Sequence, residues 1–397
     1  MRIMTISASP YLLVRNAKIN SSIINFLKES GYDVSSACWH HDEGYFMPDA
    51  SSGIYSYDNS DGEKVCDIYP FIVHPEYSAT QIYEIMKKVA PHVVITIGDH
   101  KETNFMYAIR SMYPIFKWIS IITLDVKNIS EYNLDFLNYS DAVVCLSDFA
   151  FNQINGKINQ PIFKIPFGPE KEFLKDKQIN KIDDRLRVIC TSKNALSNDL
   201  GNIIKAFSLV SDIADLYLHS NIYDIGEFDI YNLIDIYGAK NVVLPEDYVS
   251  IKDGVTCEKM ADLYRSSDVV LDCSSRSATA LSLLEGMACG CIPLGIGYGA
   301  VGDVISKTNY GNNLIINSFE YVGKMEEEFR IASVEGIVEK IIYIYNIHRS
   351  NNGLKQDIIN NSKKVASEFC KEKFITSFKE ALETVIKTEP KISVDTF

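Results

Sequence analysis

The feature that most constrains this chain is a repeated alternation. Short apolar runs ending in glycine or small polar residues are separated by stretches with helical spacing. His92–Gly98 (HVVITIG) is the clearest run. It is continuous, β-branched and closed by Gly98, as expected of a strand buried on both faces of a parallel sheet. Arg2–Ser7, Tyr32–Cys38, Trp118–Leu124, Asp141–Leu146 and Ile162–Ile165 repeat it, with Ser21–Ser30 as a helix between the first two. The polar stretch Lys171–Arg185 reads as a linker. A second series follows, with strands at Leu186–Thr191, Leu216–His219, Val242–Leu244, Val269–Asp272 and Ile292–Leu294. Gly201–Val210 and Ala280–Ala288 read as helices, and the chain from Val334 onward is mostly helical. The predicted fold class is α/β: two Rossmann-like, doubly wound domains facing a central cleft, with ligands at the carboxyl ends of the strands.

Several function classes lose support. Lys and Arg number 39 against 52 Asp and Glu, a net charge of −13, so net charge does not support nucleic acid as a partner. No run approaches the ~18 apolar residues of a membrane helix, and no signal peptide is expected. The nine Cys lie scattered in apolar runs, the usage of buried thiols in the cytoplasm. The close pair Cys289 and Cys291 reads as packing. Of the seven His, His40, His41 and His100 fall near predicted strand ends and His219 ends one, without Cys or carboxylate partners at ligand spacing, so no metal is expected. No G-x-G-x-x-G follows the first strand, and there is no P-loop, H-E-x-x-H or G-x-S-x-G.

The most informative segment is Met260–Gly295 (MADLYRSSDVVLDCSSRSATALSLLEGMACGCIPLG). A strand ends in Ser274 and Ser275, and a turn leads into a helix at about Ala278–Ala280. A helix start presents free N–H groups and a positive dipole end, which suits phosphate. Glu285 lies further along a largely apolar helix. A carboxylate there needs a partner. A pair of ribose hydroxyls would serve, and so would neighbouring backbone or a lysine.

This segment resembles the signature of family 4 retaining glycosyltransferases of the GT-B fold. Leu263-Tyr264, Ser267-Asp268-Val269, Ser274, Leu281, Leu284-Glu285, Met287-Ala288-Cys289-Gly290 and Pro293 carry the likeness. Val93–His100, Lys117–Asp125, Ser140–Ala150, Ile165–Leu174 and Ser192–Phe207 resemble further family segments in order, so the resemblance covers nearly the whole chain. It implies an acceptor-binding domain at 1–175, a nucleotide-sugar-binding domain at 176–361, and a helix at 362–397 crossing back to the first. It implies metal-independent transfer of a sugar from a UDP- or GDP-linked donor to an acceptor hydroxyl, with retention and no cofactor.

The resemblance places the donor on Lys193, Asn198, Ser275, Ser277, Ala280, Leu281, Glu285 and Arg15, with His100, Asp125 and Asp99 as catalytic candidates. The sequence also departs from the family pattern. The first of two acidic residues falls on Ser277, and the paired Arg and Lys fall on Lys193 and Asn198. The Gly-rich turn after the first strand falls on Arg15–Ala17, and the family's turn histidine on Phe167. Arg15 is a candidate to replace the cation lost at Asn198. These losses also admit a weakened or inactive homologue that binds a nucleotide sugar or a partner.

Overall fold

The computed structural model describes residues 1–12, 14–39, 54–59, 61–177, 179, 185–222, 227–245, 254–323, 328–350 and 352–388. His40 and His41 lie outside them, as does part of the expected linker. The chain forms two compact units. One contains residues 1–124 and 129–165 and the chain from Phe374; the other contains Asp125–Asn128 and Pro166–Lys373.

Among the described residues the first unit holds an eight-stranded sheet. Its strands are β1 (Arg2–Ala8), β2 (Asp33–Trp39), β3 (Tyr55–Asp58), β4 (Lys64–Phe71), β5 (Val93–Gly98), β6 (Lys117–Ile122), β7 (Ala142–Cys145) and β8 (Ile162–Lys164). Their spatial order is β3-β4-β2-β1-β5-β6-β7-β8, parallel except for the edge strand β3. The order reverses between β1 and β5, which is where open α/β sheets bind ligands. The alternation predicts the parallel centre because Ile3, Ile6, Ile95, Ile97, Ile119 and Ile121 are fully buried. Each contributes about 1.5–3 kcal/mol through burial. The reading missed β3 and β4, where Lys64–Phe71 mixes Lys64, Asp67 and Pro70 into the run.

The second unit holds β9 (Leu186–Thr191), β10 (Ala214–His219), β11 (Val242–Val243), β12 (Val269–Asp272), β13 (Ile292–Ile296) and β14 (Ile315–Ile316). They form a parallel sheet in the order β11-β10-β9-β12-β13-β14, reversing between β9 and β12. A separate antiparallel ribbon pairs β15 (Ser318–Val322) with β16 (Glu328–Ala332). The helix Leu281–Ala288 lies against β12 through Gly286, where a Cβ would stand 2.6 Å from Val270 Cβ. Any side chain at 286 would therefore lift this helix off the sheet. From Val334 onward the described residues form the helices Val334–Ser350, Asn352–Glu368 and Lys371–Lys387, as the periodicity predicts.

Candidate functional site

At the reversal point of the second sheet, two turns are laced together by backbone and serine hydroxyls. β9 ends at Thr191 and runs into Lys193. The Lys193 carbonyl accepts from Ala195 N at 2.9 Å and from Asn198 Nδ2 at 2.7 Å. Opposite, β12 ends in Asp272, only 3% exposed, which accepts from Ser274 N at 2.9 Å and Ser282 Oγ at 3.1 Å. Ser275 ties the two turns together, its N–H and hydroxyl both donating to Ser197 O, at 2.7 and 3.0 Å. Ser277 Oγ accepts from Ala280 N at 3.1 Å, closing a turn in which Ala280 takes a left-handed φ of 51°. The helix that follows has no side-chain cap at its N-terminus. Its first N–H groups and dipole end therefore suit an anion.

Glu285 lies on this helix and is 4% exposed. The Tyr264 hydroxyl stands 3.5 Å from its Oε2. Burial, and next the Glu285 charge, push the Tyr264 hydroxyl far up from its ordinary pKa, so it remains a donor. Nearby, Cys291 donates its thiol to Tyr264 O at 3.0 Å and Cys289 to Phe173 O at 3.5 Å. Among the described residues, no three His, Cys, Asp or Glu side chains gather as a metal site.

A third element was missed by the sequence reading. β13 runs into Gly297-Tyr298-Gly299-Ala300-Val301-Gly302, a G-x-G-x-x-G that opens the helix Gly299–Ser306. The motif follows the fifth strand of the second sheet's series rather than the first strand of the chain. Gly299 has φ +59°, and a Cβ there would stand 3.1 Å from Ser277 O, while Ala300 N donates to Ser277 O at 3.0 Å. The Gly-rich turn is thus docked on the Ser277 turn. The Tyr298 hydroxyl accepts from Lys127 N at 2.9 Å and donates to Glu328 O. The Lys127 ammonium lies 5.7 Å from the Tyr298 ring centre. Burial, opposed by the Lys127 bond, pushes the Tyr298 hydroxyl up to about 12, and the charges of Asp125 and Arg276 also act on it. Asp125 and Arg276 thus share an electrostatic neighbour in Tyr298, and Arg276 is a residue that sequence reasoning passed over within its own key segment.

No protein-family model matches the chain, and neither does any curated protein. Solved structures do. A sucrose-phosphate synthase from Thermosynechococcus elongatus superposes with a TM-score of 0.71 at 12% identity, covering 97% of this chain and 99% of that one. An E. coli trehalose-6-phosphate protein bound with UDP-2-fluoro glucose gives 0.68 at 9% identity, covering 98% and 100%. Anabaena HepE in complex with UDP and glucose gives 0.65 at 11%, covering 97% and 100%. The chain has the GT-B fold.

The remaining sequence candidates lie in the first unit of this GT-B chain. The carboxylate of Asp99 is engaged in a capping box: its Oδ1 accepts from Lys101 N at 2.7 Å and Glu102 N at 2.8 Å, and Glu102 Oε2 accepts from Asp99 N at 2.9 Å. His100 is the first residue of that short helix and is buried. Arg15 opens the helix Arg15–Glu29 after β1, its Nε 3.5 Å from Asn16 Oδ1. Asn16 Nδ2 reaches Glu102 Oε2 at 3.4 Å. Arg15, Asp99 and His100 are thus gathered at the reversal point of the first sheet. Lys193, Asn198, Ser275, Ser277, Ala280 and Leu281 gather at that of the second, with Glu285 further along the helix. Asp125 belongs to the second unit rather than to the first. Arg110 is buried against Asp141 at 3.1 Å, and Lys117 Nζ meets Thr388 Oγ1 at 3.3 Å.

Proposed function

We propose that this protein is a retaining, metal-independent glycosyltransferase that moves a sugar from a UDP- or GDP-linked donor to an acceptor hydroxyl. The carrying observation is the uncapped start of the helix Leu281–Ala288, set at the β9/β12 reversal point beside Lys193. In this reading Lys193 and the first N–H groups of the helix Leu281–Ala288 hold the diphosphate. The helix dipole and the lysine stabilise charge that builds on the departing diphosphate in the transition state. Glu285 takes the ribose hydroxyls. Ser277, whose oxygen accepts from Ala280 N, keeps its hydroxyl proton to donate to the sugar. Asp125 supplies the carboxylate that position 277 lacks, and the donor phosphate removes the acceptor proton.

The matches at Met260–Gly295 favour the family 4 type within the fold. The structural neighbours that hold UDP with a sugar favour a uridine donor. All nine cysteines are free thiols and six are buried, which favours work in the cytoplasm. The test is release of the nucleoside diphosphate from UDP-, GDP- and ADP-sugars, with hexose phosphates among the acceptors and the product anomer read by NMR. The reading requires retention of configuration and activity that survives a strong chelator. Strict dependence on manganese or magnesium contradicts it.

A second reading is a weakened homologue that binds a nucleotide sugar without turning it over. It is favoured by Asn198, whose amide is engaged with Lys193 O rather than standing as a second cation. Donor binding without turnover on any acceptor would select it.

A further inference from the structure

At the carboxyl end of β10, two adjacent buried polar atoms have no hydrogen-bond partner among the described residues: His219 Nδ1 and Ser220 Oγ. His219 is 8% exposed and Ser220 2%. A buried polar atom left unpaired costs about 1–3 kcal/mol, so two side by side point to something that completes them. We propose that His219 and Ser220 form the edge of the nucleotide site that reads the nucleobase. This deepens the donor reading above and rests on it.

The position supports this assignment. β10 lies beside β9, and Ser192 N donates to His219 O at 3.2 Å, so the pair is anchored next to Lys193. The helix Cys257–Arg265 supplies the direction. Its Lys259 acts electrostatically on His219, and its Tyr264 meets Glu285. Tyr264 lies five residues beyond Lys259 on the helix, about 7.5 Å of rise. A nucleotide with its diphosphate on the 275–281 turn and its ribose on Glu285 therefore extends its base along this helix toward His219.

The chemistry agrees. Burial, and next the Lys259 charge, pull the imidazole down to about 4, so it is neutral at physiological pH. The Tyr217 ring stacks on it at 6.1 Å and 27°, fixing its plane. A neutral ring nitrogen beside a neutral hydroxyl offers both donor and acceptor capacity. That matches the uncharged polar edge of a base. A phosphate would call for a cation.

The test is calorimetric titration of UDP, GDP, ADP and inorganic pyrophosphate into the wild type and into His219→Phe, His219→Asn and Ser220→Ala. The wild type should prefer one base. His219→Phe, which keeps the ring volume, should weaken the preferred diphosphate about tenfold, flatten the preference, and leave pyrophosphate unchanged. His219→Asn, whose amide replaces Nδ1, should recover part of the loss. Ser220→Ala gives the same readout should His219→Phe fail to fold. If the wild type discriminates among bases and the variants discriminate equally well, the pair is a hydrated structural pocket. The inference is then wrong and the donor reading stands. A wild type that binds all three nucleotides alike also overturns it. A wild type that binds none removes both readings together.

Discussion

Asn198 donates its side-chain amide to the Lys193 carbonyl at 2.7 Å. The residue that stands where the family pattern has a second cation is therefore a brace for the turn that carries the first. The two positions should separate in mutagenesis. Lys193→Met should leave stability unchanged and weaken diphosphate binding about fivefold, the scale of an exposed charge pair. Asn198→Ala should lower stability by about 1 kcal/mol as well as weaken binding. Denaturant midpoints beside nucleotide titrations decide this, and equal stability loss in both variants contradicts it.

Glu285 is buried against Tyr264 and does not stand in open solvent. Glu285→Ala leaves the Tyr264 hydroxyl without that neighbour and opens space in a packed helix face, at a cost of about 1–3 kcal/mol. Glu285→Gln, which retains volume and an acceptor oxygen, should cost less than half of that. Urea unfolding of both variants checks the order. A Glu285→Ala protein as stable as wild type would show that the carboxylate carries a desolvation cost equal to its bonds.

Tyr298 links Lys127, Glu328 and the Gly-rich turn. Tyr298→Phe removes the nearer of the two acceptors of Lys127 N, leaving Glu328 O at 3.2 Å, and removes the donor to Glu328 O while keeping the ring. Hydrogen exchange at the Lys127 amide should rise by about tenfold, with little change in the strands of the sheet. Uniform acceleration across the unit would instead mean global destabilisation, and unchanged exchange at Lys127 would contradict the link.

Asp199, left-handed at φ 57°, accepts Ala332 N on Oδ2 at 3.0 Å and is lifted from 3.8 to about 6 by burial, against the opposing bonds from Asn202 and Ala332. A carboxyl whose folded pKa is raised stabilises most below its unfolded value and loses that contribution as pH rises through the folded one. Stability relative to Asp199→Asn should therefore fall between pH 3.8 and about 6. His219 acts with the opposite sign: its depressed pKa gives stability above 6.5 that is lost as pH falls toward about 4. Denaturation of wild type, Asp199→Asn and His219→Phe across this window resolves the two slopes. A pH-independent difference between wild type and Asp199→Asn contradicts the first.

The sequence shows the skeleton better than the chemistry. Leu186–Thr191 and Val269–Asp272 were readable to the residue, and Val93–Gly98 to within one residue at its start, because a strand buried on both faces is largely apolar. β4 was not, since Lys64, Asp67 and Pro70 break its run while it lies between β2 and the polar edge strand β3. The ribbon β15–β16 carries exposed Phe319, Tyr321 and Val322 and has no core-facing alternation to betray it. At the site, motif position located the turns but not the use of each side chain. Asp99 caps a helix, Ser277 closes its own turn and Asn198 braces Lys193, all local backbone bonds of short polar residues that type alone does not distinguish from ligand contacts. Tyr298 depends on Lys127 and Glu328, far away in sequence, and so had no local signal.

The proposed function requires a nucleotide sugar to bind at the 275–285 segment without metal. The most direct measurement is calorimetric titration of UDP-, GDP- and ADP-linked sugars in the presence of a chelator, on the wild type and on Glu285→Ala. One donor should bind the wild type, and Glu285→Ala should weaken it by about ten- to a hundredfold, the loss of a charge-assisted bond of roughly 1.5–3 kcal/mol. Absence of binding at millimolar donor, or equal binding by the two proteins, would contradict it.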